Sequence, residues 1–262
     1  MADLPSRIAR VTLRCSDVER SAELYARLVG LEVASLGAEQ AALRPPEGDE
    51  PCLVLCRAER PGQAPRRATG LFHTAFRYPT RAGLAAALGR IGELGARFSG
   101  ASDHGVSEAL YLDDPDGLGI ELYRDRPRSE WPEPAPGERV RMFTAPLDLA
   151  DLAVAAEEGA PEPPGAGVDI GHVHLKVADT VSAERFWTER VGLELMTRFG
   201  DAAIFLARDG YHHHLGANSW QSRGAPREPL AGPGLDSVAL YGDSAAETAE
   251  TPDGIPVETV AA

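Results

Sequence analysis

The chain repeats itself, and this repeat restricts the folds open to it more than any other feature. The unit is strand, helix, three strands, on a period of about 55–65 residues. The first copy runs from IARVTLRCSD through the helical VERSAELYARLVGL to PCLVLCRAE. The second opens with GLFHTAFRYP and continues through TRAGLAAALGRIGELG, ARFSG and SEALYLDD to GIELYRD. The third opens with IGHVHLKVAD and continues through TVSAERFWTERVGLEL, MTRFG and AAIFLARD to YHHHLGA. VTLRCSDVERSAELYARLVGLEV lies over VHLKVADTVSAERFWTERVGLEL with one residue of slip. Leu24, Leu28 and Leu31 recur at helical spacing in the first copy. A fourth copy is short: LDSVALYG reads as an opening strand and GIPVETV as a closing one, with only DSAAETAETPD between. The expected class is α+β. It has βαβββ modules over residues 1–60, 70–126 and 169–222 and a truncated fourth over 232–262. A Pro-rich connector over 127–168 holds one short helix in LDLADLAVAAEE.

Composition narrows the function classes. The chain is 43% hydrophobic, ample for a core, and its net charge of −14 lacks the basic patch that a nucleic-acid partner needs. No N-terminal apolar run has the length of a signal peptide or a membrane span, so the cytoplasm is the expected compartment, with no membrane partner. Cys15, Cys52 and Cys56 lie in apolar, strand-like surroundings and read as free thiols, which suits a reducing compartment. Cys52 and Cys56 have no second Cys or His pair to complete a zinc site.

One segment, HGVSEALYLDDPDGLGIELY, collects an imidazole, a hydroxyl and a carboxylate in His104, Tyr111 and Glu121. Its DDPDG is first of all a turn, with Pro and Gly at turn-favoured places. As a pattern it is His, five residues, Leu-Tyr, two residues, Asp-Pro-Asp-Gly, three residues, Glu. So written, it resembles the signature of the extradiol (type I) ring-cleaving dioxygenases of the vicinal oxygen chelate superfamily, from which Ser102 departs. The repeated βαβββ unit and the runs GHVHLKV and YHHH are similar to the same group. The resemblance covers nearly the whole chain apart from the connector and the eroded fourth unit. Within the superfamily it is nearest to four-module bacterial catechol 2,3-dioxygenases. It implies two half-open curved sheets and a metal, Fe(II) or Mn(II), held by two histidines and one carboxylate.

In that superfamily the ligands come from first and last strands of modules. Module two offers His73 and Glu121 there, and the equivalent first-strand positions elsewhere are Arg10, His172 and Ser237. Pairing modules two and three therefore completes the set His73, His172, Glu121. Pairing one with two would bring in the cation Arg10, and pairing three with four would bring in Ser237. The common extradiol enzymes use their last two modules, so this chain reads as permuted relative to them. His174 shares a strand face with His172 and is an alternative ligand, otherwise a neighbour or core residue. Within Tyr211-His212-His213-His214, adjacent strand residues point to opposite faces, so not all three imidazoles reach one metal. The resemblance makes His213 the acid/base, with His214 second, and a change at His212 or His214 is then expected to be mild. It makes Tyr111 a substrate contact and gives His104 a hydrogen bond to the substrate or to O2. Asn218 and Trp220 are expected at the pocket, and Arg126 and Trp131 in a structural strap. Each residue also has a plainer reading: a strand histidine is more often core than ligand, Tyr111 would pack inside, and the histidine run would be a surface patch.

The expected activity is cleavage of a catechol-type diol by O2 to a ring-opened semialdehyde, with the diol and O2 as partners. Whether the chain forms a homo-oligomer is left open. Two alternatives share the fold. One is another metal-dependent chemistry, such as a glyoxalase-like isomerase or a thiol transferase. The other is a metal-free protein that binds a small aromatic compound, a reading to which Arg10 and the eroded fourth unit give weight.

Overall fold

A computed structural model of the chain describes residues 8–158, 163–227, 229, 231–242 and 247–261. The first seven residues of module one, residues 159–162 of the connector and 243–246 of DSAAETAETPD lie outside them. The first module comprises β1 (Ile8–Cys15), α1 (Val18–Val29), β2 (Glu32–Leu36), β3 (Gln40–Arg44) and β4 (Leu53–Arg57). The second comprises β5 (Gly70–Arg77), α2 (Arg81–Leu94), β6 (Arg97–Asp103), β7 (Ser107–Asp113) and β8 (Gly119–Asp125). The connector holds a 3-10 turn (Arg128–Glu130), β9 (Ala145–Pro146) and α3 (Leu149–Glu158). The third module comprises β10 (Asp169–Lys176), α4 (Thr180–Glu189), β11 (Glu194–Phe199), β12 (Ala203–Ala207) and β13 (Leu215–Asn218). The last stretch has β14 (Gly234–Gly242), β15 (Thr248–Glu250) and β16 (Pro256–Ala261), and no helix among its described residues.

The repeated helices start the same way because the same cap chemistry recurs. Asp17, Thr80 and Asp179 are extended, and each side chain accepts a hydrogen bond from the amide three residues on, at Arg20, Gly83 and Ser182. Glycines 30 and 95 close α1 and α2 in the left-handed region, where a side chain would be strained. The buried stripe of α1 runs through Val18, Ala22, Tyr25, Leu28 and Val29, with Leu24 at its half-buried margin. The ring of Tyr25 meets that of Phe76 at 5.9 Å and so seats α1 on β5.

Topology follows the repeat. In each copy the first strand lies parallel to the last, as β1 with β4, β5 with β8, β10 with β13 and β14 with β16. Two first strands then meet antiparallel at the centre of each sheet, β1 with β14 and β5 with β10. One sheet has the order β15-β16-β14-β1-β4-β3-β2, the other β11-β12-β13-β10-β5-β8-β7-β6-β9. This is the α+β architecture of paired βαβββ units that the repeat predicts, with a shortened fourth unit. The connector differs from a plain linker: β9 adds to the edge of β6, pairing Ser102 with Pro146 and Asp103 with Ala145. No helix among the described residues is long and apolar enough to cross a membrane.

β10 is buried at every position after Asp169, and β5 at all but Phe72 and Arg77. Strands covered on both faces usually read as near-continuous apolar runs. Here the interior face of these two strands instead carries His73, His172 and His174, all buried. Cys15 and Cys52 are buried free thiols, pushed up to about 11 and about 12 by burial, and Cys56 is half-buried.

Candidate metal centre and active site

The strand register builds the centre. His172 on β10 lies opposite Ala75 on β5, and Ala75 lies beside Glu121 on β8. The three positions form one row across three strands. The small side chain of Ala75 lets the outer two reach over it towards each other. His73 is two residues from Ala75 and shares its face. The result is His73 Nε2 2.8 Å and His172 Nε2 3.2 Å from the same oxygen, Glu121 Oε2. Gly119, at the start of β8, lets β5 approach closely: a Cβ there would stand 2.1 Å from the Phe72 carbonyl oxygen.

Three potential ligand atoms of His73, Glu121 and His172 lie within 4.8 Å of one another, and all three residues are buried. Burial works against charge on Glu121, yet the imidazoles of His172 and His73 hold its carboxyl well below the usual range. Burial pushes His172 down to about 4 against the pull of Glu121, so its ring is neutral. Among the described residues no lysine or arginine pairs with Glu121. A buried carboxylate lacking a cation is costly. His73 Nε2 has no hydrogen-bond partner despite its 2.8 Å approach to Glu121. Its lone pair and the carboxylate charge converge without a hydrogen bond between them. Two imidazoles and one carboxylate on one face fit a divalent cation, and this donor set is the one that holds non-haem Fe(II) with positions left open.

A cavity of about 360 Å³ opens beside His73 and Glu121, and His172 is not among the residues of its wall. His73, Glu121, His174, His213, Tyr111 and His104 line its polar part, and Phe72, Phe205 and Trp220 are among its apolar walls. Tyr111 stands directly across from Glu121 on β7. Its hydroxyl lies 2.7 Å from His104 Nε2, and His104 Nδ1 lies 2.8 Å from the Phe143 carbonyl. A carbonyl only accepts, so Nδ1 carries a hydrogen, and in that tautomer Nε2 accepts from Tyr111. Burial, and then Glu121, push the Tyr111 hydroxyl well above the ordinary range, so it remains a proton donor.

The histidine run is not a strand. Asp209 and Gly210 turn the chain with φ of 58° and 68°, the Tyr211 amide donates to the Arg208 carbonyl, and regular pairing starts only at Leu215. The alternation expected for a strand therefore does not apply, and neither does a surface patch, because His212, His213 and His214 are all buried. His213 lines the cavity with its ring centroid 4.0 Å from that of His172. Burial, followed by the neighbouring imidazoles, pushes it well below the ordinary histidine range, so it is a neutral base. His214 is absent from the cavity wall, and its Nδ1 accepts from the Arg208 amide. His174 lines the cavity opposite His73, but its Nε2 accepts from Asn218 at 3.0 Å. Asn218 thus acts on the site through His174, while Trp220 forms part of the wall itself. Trp131 donates to the Arg126 carbonyl and packs its ring 5.5 Å from that of His212.

Sequence reasoning missed Asp125, whose carboxylate accepts from His212 Nε2 at 2.7 Å and from Tyr211 at 2.9 Å. The signal available was its place four residues after Glu121 on β8, which puts both side chains on one face. It also missed the aromatic wall of Phe72 and Phe205, which looks like ordinary strand core in a sequence.

Comparison with known proteins agrees with this picture. Residues 10–123 match the model of the glyoxalase-like domain. The chain is 40% identical over 233 residues to catechol-2,3-dioxygenase of Bacillus subtilis (strain 168), covering 87% of this chain and 79% of that one. Among solved structures, glyoxalase I from Zea mays covers 97% of this chain, and 92% of its own length, at a TM-score of 0.58 and 15% identity. A protein of Bacillus subtilis subsp. subtilis str. 168, provisionally described as a dioxygenase, covers 98%, and 86% of its own length, at a TM-score of 0.63 and 14% identity. The structural likenesses carry the fold, and the closer sequence likeness carries the family. The chain belongs to the vicinal oxygen chelate superfamily and, within it, to the family of that catechol-2,3-dioxygenase.

Proposed function

We propose that this chain is an Fe(II)-dependent extradiol dioxygenase that opens a catechol-type diol with O2 to a semialdehyde, as a cytoplasmic enzyme of aromatic breakdown. The observation that carries the reading is the convergence of His73, His172 and Glu121 within 4.8 Å at a buried site whose His73 and Glu121 line the cavity. Iron(II) bound there would leave positions for both diol oxygens and for O2, lower the pKa of the diol hydroxyls and supply electrons to oxygen. The protein's own groups do the rest. His213, neutral and at the cavity wall, takes a proton from a diol hydroxyl and returns it later in the cycle. Tyr111, whose hydrogen is held by His104, presents its hydroxyl oxygen as an acceptor to a diol hydroxyl. Phe72, Phe205 and Trp220 enclose the ring and exclude water. Manganese(II) suits the same donors, and iron is the metal on which oxygen chemistry of this kind is most readily built.

The test is anaerobic reconstitution with Fe(II), followed by oxygen uptake and product identification against a panel of substituted catechols. One O2 consumed per catechol with a yellow ring-opened semialdehyde supports the reading. A cis,cis-muconate product, or no uptake by iron-loaded protein, overturns it.

A further inference from the structure

The histidine run forms a chain of hydrogen bonds that ends on a carboxylate. Asp125 Oδ1 lies 2.7 Å from His212 Nε2, and His212 Nδ1 lies 2.8 Å from His213 Nδ1. Asp125 is itself fixed from several sides. The Tyr211 hydroxyl donates to it at 2.9 Å, Arg77 pairs with it at 3.3 Å, and Arg77 is in turn held by Asp169. The Tyr123 hydroxyl sits 2.8 Å from that of Tyr211, and the Trp131 ring packs on His212, which is fully buried.

The hydrogens along this chain follow from which groups accept. An ionised carboxylate only accepts, so His212 Nε2 carries a hydrogen. In a neutral His212 the other nitrogen, Nδ1, is then an acceptor. With His212 neutral, the hydrogen between the two rings comes from His213 Nδ1. That leaves His213 Nε2 as the ring's lone-pair nitrogen, and it has no hydrogen-bond partner among the described residues. His213 lines the cavity, so this nitrogen is the one free to serve substrate.

We infer that Asp125 and His212 are positioning residues that hold His213 in the Nδ1–H tautomer, with Nε2 bare and ready to accept a proton. The inference rests on the acid/base reading of His213. When Nε2 takes the diol proton, His213 carries hydrogens on both nitrogens, and Nδ1–H remains donated to His212. The proton later leaves from the same Nε2, so no hydrogen need pass along the chain. A histidine lacking this partner could place its hydrogen on Nε2 and meet the diol with a donor instead of a base.

The experiment reads the tautomer directly. Metal-free protein labelled with 15N-histidine is studied at pH 8 by long-range proton–nitrogen correlation, for the wild type, His212→Gln and His212→Leu. In the Gln variant an amide oxygen can accept from His213 while its NH2 donates towards Asp125. Expected is an Nδ1–H tautomer for His213 in the wild type and in His212→Gln, and loss of that single tautomer in His212→Leu. After iron loading, His212→Leu should lose about 10²-fold in kcat, within the span of acid/base catalysis, with KM and iron content unchanged. His212→Gln should lose less than about tenfold. A wild-type His213 with its hydrogen on Nε2 overturns the inference, and that result stands even if His212→Leu fails to fold. An unchanged tautomer or unchanged kcat in folded His212→Leu also overturns it. The nitrogen spectra need neither metal nor substrate, so they decide this point separately from whether the protein cleaves catechols.

Discussion

Gly119→Ala perturbs the centre through the backbone alone. The added methyl would lie 2.1 Å from the Phe72 carbonyl oxygen and 3.1 Å from His73 Cβ. Ordinary contact needs about 3.5 Å, so β5 and β8 must part by about 1 Å or more beside His73. Overpacking of this kind destabilises by about 1–3 kcal/mol. At about 2–4 °C per kcal/mol for a chain of this size, the melting temperature should fall by about 2–12 °C. A displacement of about 1 Å at reacting groups costs about 10²-fold in rate. The same shift separates His73 from Glu121, so iron affinity should fall as well. Gly89→Ala is the control. Gly89 lies inside α2, and a Cβ there meets nothing within 4 Å. That change should stabilise by about 0.5–1 kcal/mol, because alanine loses less freedom in a helix. Thermal melts of the metal-free variants and anaerobic Fe(II) titrations check both. A Gly119→Ala protein that melts and binds iron like the wild type would refute the argument from strand approach.

Other outcomes follow from single groups. His213→Phe should keep iron but lose about 10²–10⁴-fold in turnover, read by oxygen uptake beside metal analysis; unchanged turnover would remove this ring from the chemistry. Tyr111→Phe removes the hydroxyl that His104 fixes, and the loss of one hydrogen bond of about 1 kcal/mol should lower kcat several-fold, with iron content unchanged. Burial pushes the Asp114 carboxyl up to about 7 from its ordinary 3.8, so the folded chain keeps a proton that the unfolded chain releases. Its contribution to stability is complete below about pH 4 and is lost as pH rises through about 7, by at most about 4 kcal/mol. Urea unfolding at pH 5 and pH 8 should therefore show Asp114→Asn gaining on the wild type at the higher pH, and a variant that loses ground to the wild type as pH rises would contradict the sign.

The fold was legible because the sequence repeats its own cap, helix and strand signals: Asp17, Thr80 and Asp179 begin three helices in the same way. The register that follows from the repeat is also why His73 and His172 could be named together from sequence, although they are 99 positions apart by their numbers (172 less 73). The histidine run was misread because strand alternation was applied to a turn. The αL conformation of Asp209 is a rare choice for a residue with a side chain, and periodicity gives no sign of it. The turn brings His212 and His213 within hydrogen-bond distance, which strand neighbours do not achieve, so a mild effect at His212 is no longer expected. Asp125 was invisible for a different reason. Its partners Arg77, Tyr211 and His212 come from three separate segments, and no local spacing announces such a meeting. The connector was read as a strap, yet it supplies the Phe143 carbonyl that sets the His104 ring, a backbone contribution that residue types do not encode.

The central claim is that one metal centre is shared between two modules through His73, His172 and Glu121. Its most direct test is the iron bound per chain after anaerobic reconstitution of the wild type and of His73→Ala, His172→Ala and Glu121→Ala, with circular dichroism to verify folding. Expected is about one iron for the wild type, in line with a single three-ligand site, and little or none for each folded variant. Full iron retained by folded His172→Ala would contradict it, because the third module would then contribute no ligand.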